Sequence, residues 1–476
     1  FRGPVQLPTR LPRHVSCASI GQNDDRAFEG FTLARLTSAA QGADLTGKPR
    51  SFVHIAALGL VWLTFASSGF VFTEPCPTDA LAIALIVLLP VIGLVHIQKI
   101  LALFLLLWAA VTATGLVSAT FAHDTSKAVT HTLVSFYLGG FAFTIAGFVA
   151  MRPAENIKLI LNGLTAAAVI AALTGIAGYF SIVPNAELFT KFGRAAGTFK
   201  DPNVFGPFLV PATLYAVHHA LQGSLRRALP PLMVAALLAL AVFLSFSRGA
   251  WINLMVSAAL YLGLAFLTAP SNGRRQKIAL LAVLSSAALG GVVAAALQDD
   301  SVASLVNERA SVAQSYDVGP EGRFGGQEKA TALILDNPFG IGAAQFAPFY
   351  HHEEAHNVYL SMTLATGWLG SGLYIIAVFS TLALGLRQCF KRTPWQPFVL
   401  IAFATFAANA AEGIIIDSDH WRHFYVLMAV IWGAACARAP ARATLPHAAA
   451  ARAHNRLRHS VPSGAPRIFS EPRIAR

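Results

Sequence analysis

The sequence predicts an all-α polytopic membrane protein, with about twelve transmembrane helices of about 20 residues each and one large outer loop. Three observations carry that prediction. The chain of 476 residues is 55% hydrophobic and only 12% charged, against about 25% charged for a soluble domain. Apolar runs of about 18–24 residues recur along most of its length, each long enough to cross a bilayer as a helix. Positive charge gathers in alternate short connections and in both tails, as membrane orientation requires. The alternating polar and apolar pattern of a membrane β-barrel is absent. A net charge of +12 raises the question of nucleic acid, but its dispersal over loops and tails argues against it.

Taken in order, residues 1–50 are rich in Gly, Pro, Arg and Ser and contain no apolar run. They lack the apolar core of a signal peptide and read as a disordered cytoplasmic extension. The expected spans are 52–73, 79–97, 100–122, 128–150, 158–180, 203–221, 228–246, 250–269, 278–297, 366–387, 396–414 and 421–438. Arg152/Lys158, Arg226/Arg227, Arg274/Arg275/Lys277 and Arg387/Lys391/Arg392 then share one side with both tails, and the positive-inside rule makes that side cytoplasmic. Residues 439–476 form a basic, disordered cytoplasmic tail. Between them, residues 51–438 form one transmembrane domain. The outer connections include the segment 181–202, the tight turn Ser247-Arg248-Gly249, the long loop 298–355 and the acidic stretch 412–420. A loop of that length far exceeds the usual 4–6 residues and is a candidate lid or substrate-binding element. Within it, Gly325 to Leu335 reads as an amphipathic helix ending at Asp336-Asn337-Pro338. Of Cys17, Cys76, Cys389 and Cys436, only Cys76 faces outward, so no outer disulfide forms within the chain. No spacing resembles a metal site.

Three motifs from different helices converge on the outer face. In "FGRAAGTFKDPNVFGP" (192–207), Asp201 is a helix N-cap and Pro202 suits the first helical position. Arg194, Lys200 and the free N–H groups of that helix suit an anion, with Gly193 and Gly197 allowing close backbone approach. The alternative is an arginine snorkelling to lipid headgroups. In "LSFSRGAW" (244–251), Arg248 is held at membrane level, and its guanidinium fork suits phosphate oxygens; the alternative is an interfacial anchor with Trp251 in the aromatic belt. In "HHEEAHNVYL" (351–360), His356 is a candidate base oriented by a neighbouring carboxylate, with His351 and His352 as alternatives. A metal bound by His351, His352, Glu353, Glu354 and His356 matches no firm signature. The last outer turn groups Asp417, Asp419, His420, Trp421, Arg422 and His423, either as a charged cap or as a substrate-orienting patch.

The order of "GRAAGTFKDPNVFGPFL", "SRGAW", a long outer loop and "HNVYL…GWLG" resembles the O-antigen ligase/polymerase superfamily, over about residues 50–438. The resemblance implies a GT-C-like fold and a metal-independent, inverting glycosyltransferase in the bacterial inner membrane. It implies an undecaprenyl-pyrophosphate-linked glycan as donor, and lipid A–core or a growing polysaccharide as acceptor. Arg194 and Arg248 would hold the pyrophosphate, and His356 would activate the acceptor hydroxyl at the periplasmic face. Lys200, Asn203, Arg323, Glu353, Glu354, Asn357, His420 and Arg422 are candidates for support, and no cofactor or metal is expected. Arginines aimed at a departing pyrophosphate stabilise the transition state more than the ground state. A polysaccharide polymerase shares this chemistry. A lipid-linked glycan transporter is the rival from another class, but ion-coupled transporters carry ionisable groups deep in their helices. Here Glu412, near a helix end, is the clearest such group.

Overall fold

The structure, a computed structural model, describes residues 52–298 and 319–437, with residues 300, 303, 304 and 306 between them. The expected tails, and the part of the long loop between 298 and 319 apart from those four residues, lie outside the described residues. The chain divides into two compact units, 1–57 and 58–476. The first is described only at its last residues, and the core and the candidate site belong to the second.

A helix overlaps each of the twelve expected spans, though the first ends at Ala66 and the second at Val91, short of 73 and 97. They are α1 (Phe52–Ala66), α2 (Pro77–Val91), α3 (Lys99–Ala119), α4 (Thr125–Met151), α5 (Pro153–Tyr179), α6 (Pro202–Gln222), α7 (Leu225–Leu244), α8 (Arg248–Leu267) and α9 (Asn272–Ala296). After the long loop come α11 (Val358–Cys389), α12 (Gln396–Glu412) and α13 (Arg422–Cys436), while α10 (Arg323–Asp336) lies within the loop itself. Among the described residues, seven helices are long and apolar enough to cross a membrane, α3 to α8 and α11. The protein is a polytopic helical membrane protein. The expected helix 325–335 is α10, and Asn337 closes it by donating its side-chain amide to the Leu333 carbonyl at 2.8 Å.

The core is an aromatic column between α3, α11 and α13. Trp108, Tyr374 and Tyr425 are fully buried. The Trp108 ring lies 6.2 Å from Tyr374 and 5.1 Å from Tyr425, within the range where offset aromatic pairs attract. Phe104 meets Trp432 at 5.0 Å, and the Trp432 indole N–H donates to the Thr381 hydroxyl at 2.8 Å. In lipid, where apolar surface alone does not drive helix association, close packing and interhelical hydrogen bonds of this kind hold the bundle together.

The sequence predicts a tenth span that starts at 366, whereas α11 begins eight residues earlier, at Val358. The reason is a break inside it at Gly367, whose φ of 70° and ψ of −177° are not helical. A Cβ there would lie 2.6 Å from the Pro338 carbonyl oxygen, so only glycine fits. The long connection packs into that break. Ile341 N–H donates to the Leu364 carbonyl at 2.8 Å, and Trp368 N–H to the Pro338 carbonyl at 2.9 Å. The Trp368 indole donates to the Ile334 carbonyl at 2.9 Å, and Gly342 N–H to the Ser118 hydroxyl at 2.9 Å. Gln345 accepts from Asp124 N–H at 2.8 Å. The described part of the connection is therefore sewn to α3, α11 and the start of α4, and is not a free flap.

Candidate functional site

The stretch around Arg194 folds as a two-stranded hairpin. β1 (Thr190–Lys191) pairs antiparallel with β2 (Arg194–Ala195), and Lys191 faces Arg194. Phe192 and Gly193 form the turn, with φ of 53° and 67°, the double positive φ of a tight hairpin turn. A Cβ on Gly193 would meet nothing, whereas one on Gly197 would lie 2.4 Å from the Ala171 carbonyl. Close approach is therefore the role of Gly197, and Gly193 serves the turn. As expected, Asp201 caps α6 by accepting from Asn203 N–H at 2.8 Å, with Pro202 in the first turn.

The hairpin aims Arg194 inward, where it is buried. Its Nε donates to the Ser245 carbonyl at 2.7 Å, and an Nη to Asn203 Oδ1 at 2.7 Å. Ser245 lies in the short corner between α7 and α8. Ser247 caps α8 by accepting from Ala250 N–H at 3.3 Å, and Arg248 is the first residue of the helix. Trp251 is not an exposed belt residue. Its ring stacks on Phe243 at 5.6 Å, and its N–H donates to the Phe243 carbonyl at 3.1 Å.

From this corner a chain of contacts leads to His356. A Cβ on Gly249 would lie 2.4 Å from Glu412 Oε1, so the last residue of α12 rests on the first turn of α8. Glu412 also accepts from the Asn253 amide at 2.6 Å, and the same amide donates to Asn409 Oδ1 at 2.6 Å. One residue on, the Gly413 carbonyl accepts from Val358 N–H at 2.8 Å, which fixes the start of α11. His356 sits just before that start with φ of 48°. Its backbone N–H donates to Asp417 Oδ2 at 3.0 Å, and its ring Nδ1 lies 3.8 Å from the same oxygen. Ring Nε2 lies 3.4 Å from Glu353 Oε2. Asp417 is held in turn by the Ser361 hydroxyl at 2.5 Å. Arg194, Arg248 and His356 thus share one end of the bundle. The basic residues Arg226, Arg227 and Arg274 flank the opposite helix ends, where Lys277 reaches the Leu221 carbonyl at 3.0 Å.

Three of the remaining candidates sit at helix starts. Asn203 supports Arg194. Asn357 caps α11 by accepting from Tyr359 and Leu360 N–H at 3.1 and 3.3 Å, and Arg323 opens α10. The grouping of His351, His352, Glu353, Glu354 and His356 as one cluster is not what forms. Buried His351 packs on Gly326 and Phe346, and it shares Glu321 with His352 at 3.9 and 3.3 Å. Lys200 does not join Arg194; it pairs with Glu74 at 2.5 Å. Arg422 makes a two-pronged bridge to Asp79, 2.7 Å on each prong, and reaches Glu74 at 3.5 Å. Lys200, Glu74, Arg422, Asp417, Asp419 and His420 rim a cavity of about 200 Å³ with an aromatic floor that includes Phe141, Phe199 and Phe208.

Sequence reasoning did not find Asp417 as the partner of His356, nor Asp79 as that of Arg422. The first pair is 61 residues apart and the second 343, so no local spacing signals either.

Burial, reinforced by Asp419, holds Asp417 above the usual carboxylate range, against the downward pull of the Ser361 hydroxyl and His356. Burial first, then the charges of Asp417 and Asp419, push Glu354 up to about 7. A carboxyl with a raised folded-state value favours folding below its ordinary value of 4.5 and loses that contribution as pH rises to about 7. The melting temperature in detergent is therefore expected to fall by a few degrees between these pH values. Glu354→Gln is expected to flatten this slope. An unchanged slope in the variant would remove Glu354 as its source.

Long apolar helices make this a polytopic membrane protein, and one end of its bundle gathers two arginines and a histidine beside carboxylates. Residues 233–375 match the family model described as O-antigen ligase, in line with the resemblance read from the sequence. The matched segment includes Arg248 and His356 and leaves Arg194, Asp417 and Arg422 outside it. No curated protein matched the sequence.

Proposed function

We propose that the chain is an O-antigen ligase-type glycosyltransferase, moving a glycan from undecaprenyl pyrophosphate to a sugar hydroxyl of lipid A–core. The observation that carries this reading is the run of contacts that joins Arg194, the Arg248 corner, Glu412, Gly413 and Asp417 to His356. It sets two cations and a base at one end of the bundle. Arg194 and Arg248 hold the pyrophosphate as the bond from the anomeric carbon to phosphate oxygen breaks and charge gathers on the leaving group. His356 takes the proton of the acceptor hydroxyl, with the Asp417 carboxylate 3.8 Å from its ring Nδ1. Glu353, half exposed beside ring Nε2, yields that face to the acceptor.

The orientation follows from charge. The end with Arg226, Arg227, Arg274 and Lys277 is cytoplasmic, together with both termini, and the site faces the periplasm of a bacterial inner membrane. Energy is supplied by the lipid pyrophosphate bond itself. The acceptor oxygen attacks opposite the pyrophosphate, so the anomeric carbon inverts. NMR of the donor and product linkages is expected to show opposite configurations; the same configuration would rule out single displacement.

The function is tested by deleting the gene and comparing lipopolysaccharide ladders, secreted polysaccharide and lipid-linked glycan. A ligase loses the ladder, keeps an intact core and accumulates long lipid-linked chains. Single repeats on the core, or loss of secreted polymer, would assign a polymerase instead.

A further inference from the structure

Asp419 and His420, on the rim of the cavity, belong to a cluster that the proposed transfer does not use. His131 of α4 and His420 stack with ring centroids 4.0 Å apart and planes 27° from parallel. Both present Nε2 to the same carboxylate oxygen, Asp419 Oδ2, at 3.5 Å from His131 and 3.8 Å from His420. The three ligand atoms lie within 4.8 Å of one another. The Ser135 hydroxyl, one turn along α4 from His131, stands 2.9 Å from His420 Nε2.

Neither distance to the carboxylate is a good hydrogen bond. They are close to the separation that ligands adopt around a small cation. A tetrahedral zinc ion with bonds of about 2.0–2.1 Å holds its ligand atoms about 3.3 Å apart. Two imidazoles and one carboxylate form a donor set that suits Zn²⁺, Ni²⁺ or Cu²⁺ and not Mg²⁺ or Ca²⁺. The three side chains are 30%, 14% and 28% exposed, so they are accessible yet held by their surroundings. Asp419 and His420 also line the cavity of about 200 Å³, which gives an ion a path in.

We propose that His131, Asp419 and His420 form a binding site for a first-row transition-metal dication, Zn²⁺ foremost. The ion ties α4 to the turn between α12 and α13, and that turn carries Asp417, the partner of His356. Its role is to brace the turn, and it takes no part in bond breaking. The site is invisible in sequence because His131 and His420 are 289 positions apart in the numbering of the chain.

The test uses the full chain in detergent, stripped with a chelator and titrated with Zn²⁺. One tightly held equivalent is expected, with a rise in melting temperature. His131→Ala and Asp419→Asn are each expected to weaken binding by more than the roughly 10–100-fold that loss of a supporting hydrogen bond costs. His352→Ala, in the separate group with Glu321 and His351, is expected to leave it intact. If the variants fail to fold, Cu²⁺ loaded on the wild-type chain serves instead. Its electron paramagnetic resonance spectrum is expected to show coupling to two imidazole nitrogens. Zn²⁺ binding that survives both ligand variants, binding lost only in His352→Ala, or a Cu²⁺ spectrum without two nitrogens overturns the proposal.

Discussion

His356→Ala, returned to a strain deleted for this gene, is expected to leave the lipopolysaccharide core without its ladder while lipid-linked chains accumulate. In a purified assay the transfer rate is expected to fall by about 10²–10⁴-fold, the usual worth of a positioned acid or base. The variant should fold, because the backbone N–H at 356 still donates to Asp417 at 3.0 Å whatever the side chain. Asp417→Asn keeps an acceptor for that N–H but loses the negative charge beside ring Nδ1, so a smaller loss of rate is expected. Full activity of His356→Ala would sink the assignment of the base and reopen the transporter reading.

Arg248→Ala is expected to lower kcat by about 10²–10³-fold, the loss seen when a donor to a developing negative charge is removed. KM for the lipid pyrophosphate should change less, because the interaction strengthens as the leaving group departs. Arg248→Lys keeps the charge but loses the planar fork, and is expected to recover only part of the rate. Arg194→Ala carries a second cost. It strips the donor from the Ser245 carbonyl and from Asn203 Oδ1, each worth about 1–3 kcal/mol when left buried and unpaired. Melting temperature and single-turnover rate must therefore be read together. A lowered melting temperature with an unchanged rate would make Arg194 a brace of the α7–α8 corner and no more. An unchanged kcat in Arg248→Ala would remove it from the chemistry.

Each helix of the bundle is legible in the sequence because long apolar runs and alternate basic connections are local signals. The cap at Asp201 and the helix from Arg323 are legible for the same reason, since turn chemistry and amphipathic spacing act within a few residues. What escapes depends on contacts between distant segments. The double positive φ at Phe192 and Gly193 makes a hairpin only because strand pairing on both sides supports it. The break at Gly367 lies inside an apolar run, where composition does not distinguish a kink from a continuous helix. Lys200 looks like a partner of Arg194 from six residues away, yet Glu74, from a different connection, draws it off. Among the proposed site residues, Arg194 and Arg248 stand out because arginine in an expected outer connection runs against the positive-inside rule. Asp417 does not, since one acidic residue in an acidic turn has no distinguishing neighbourhood until the fold brings His356 to it.

The stitching of the segment 337–346 has a kinetic corollary. Amides that pair across elements exchange with solvent only when those elements part together. The N–H groups of Ile341, Gly342 and Trp368 bind carbonyl or hydroxyl oxygens on separate helices or across the break, so they open as one cooperative unit with the bundle and not as a fraying loop. Under the proposed function, the segment 337–346 then meets an acceptor glycan as part of the bundle, set once at folding.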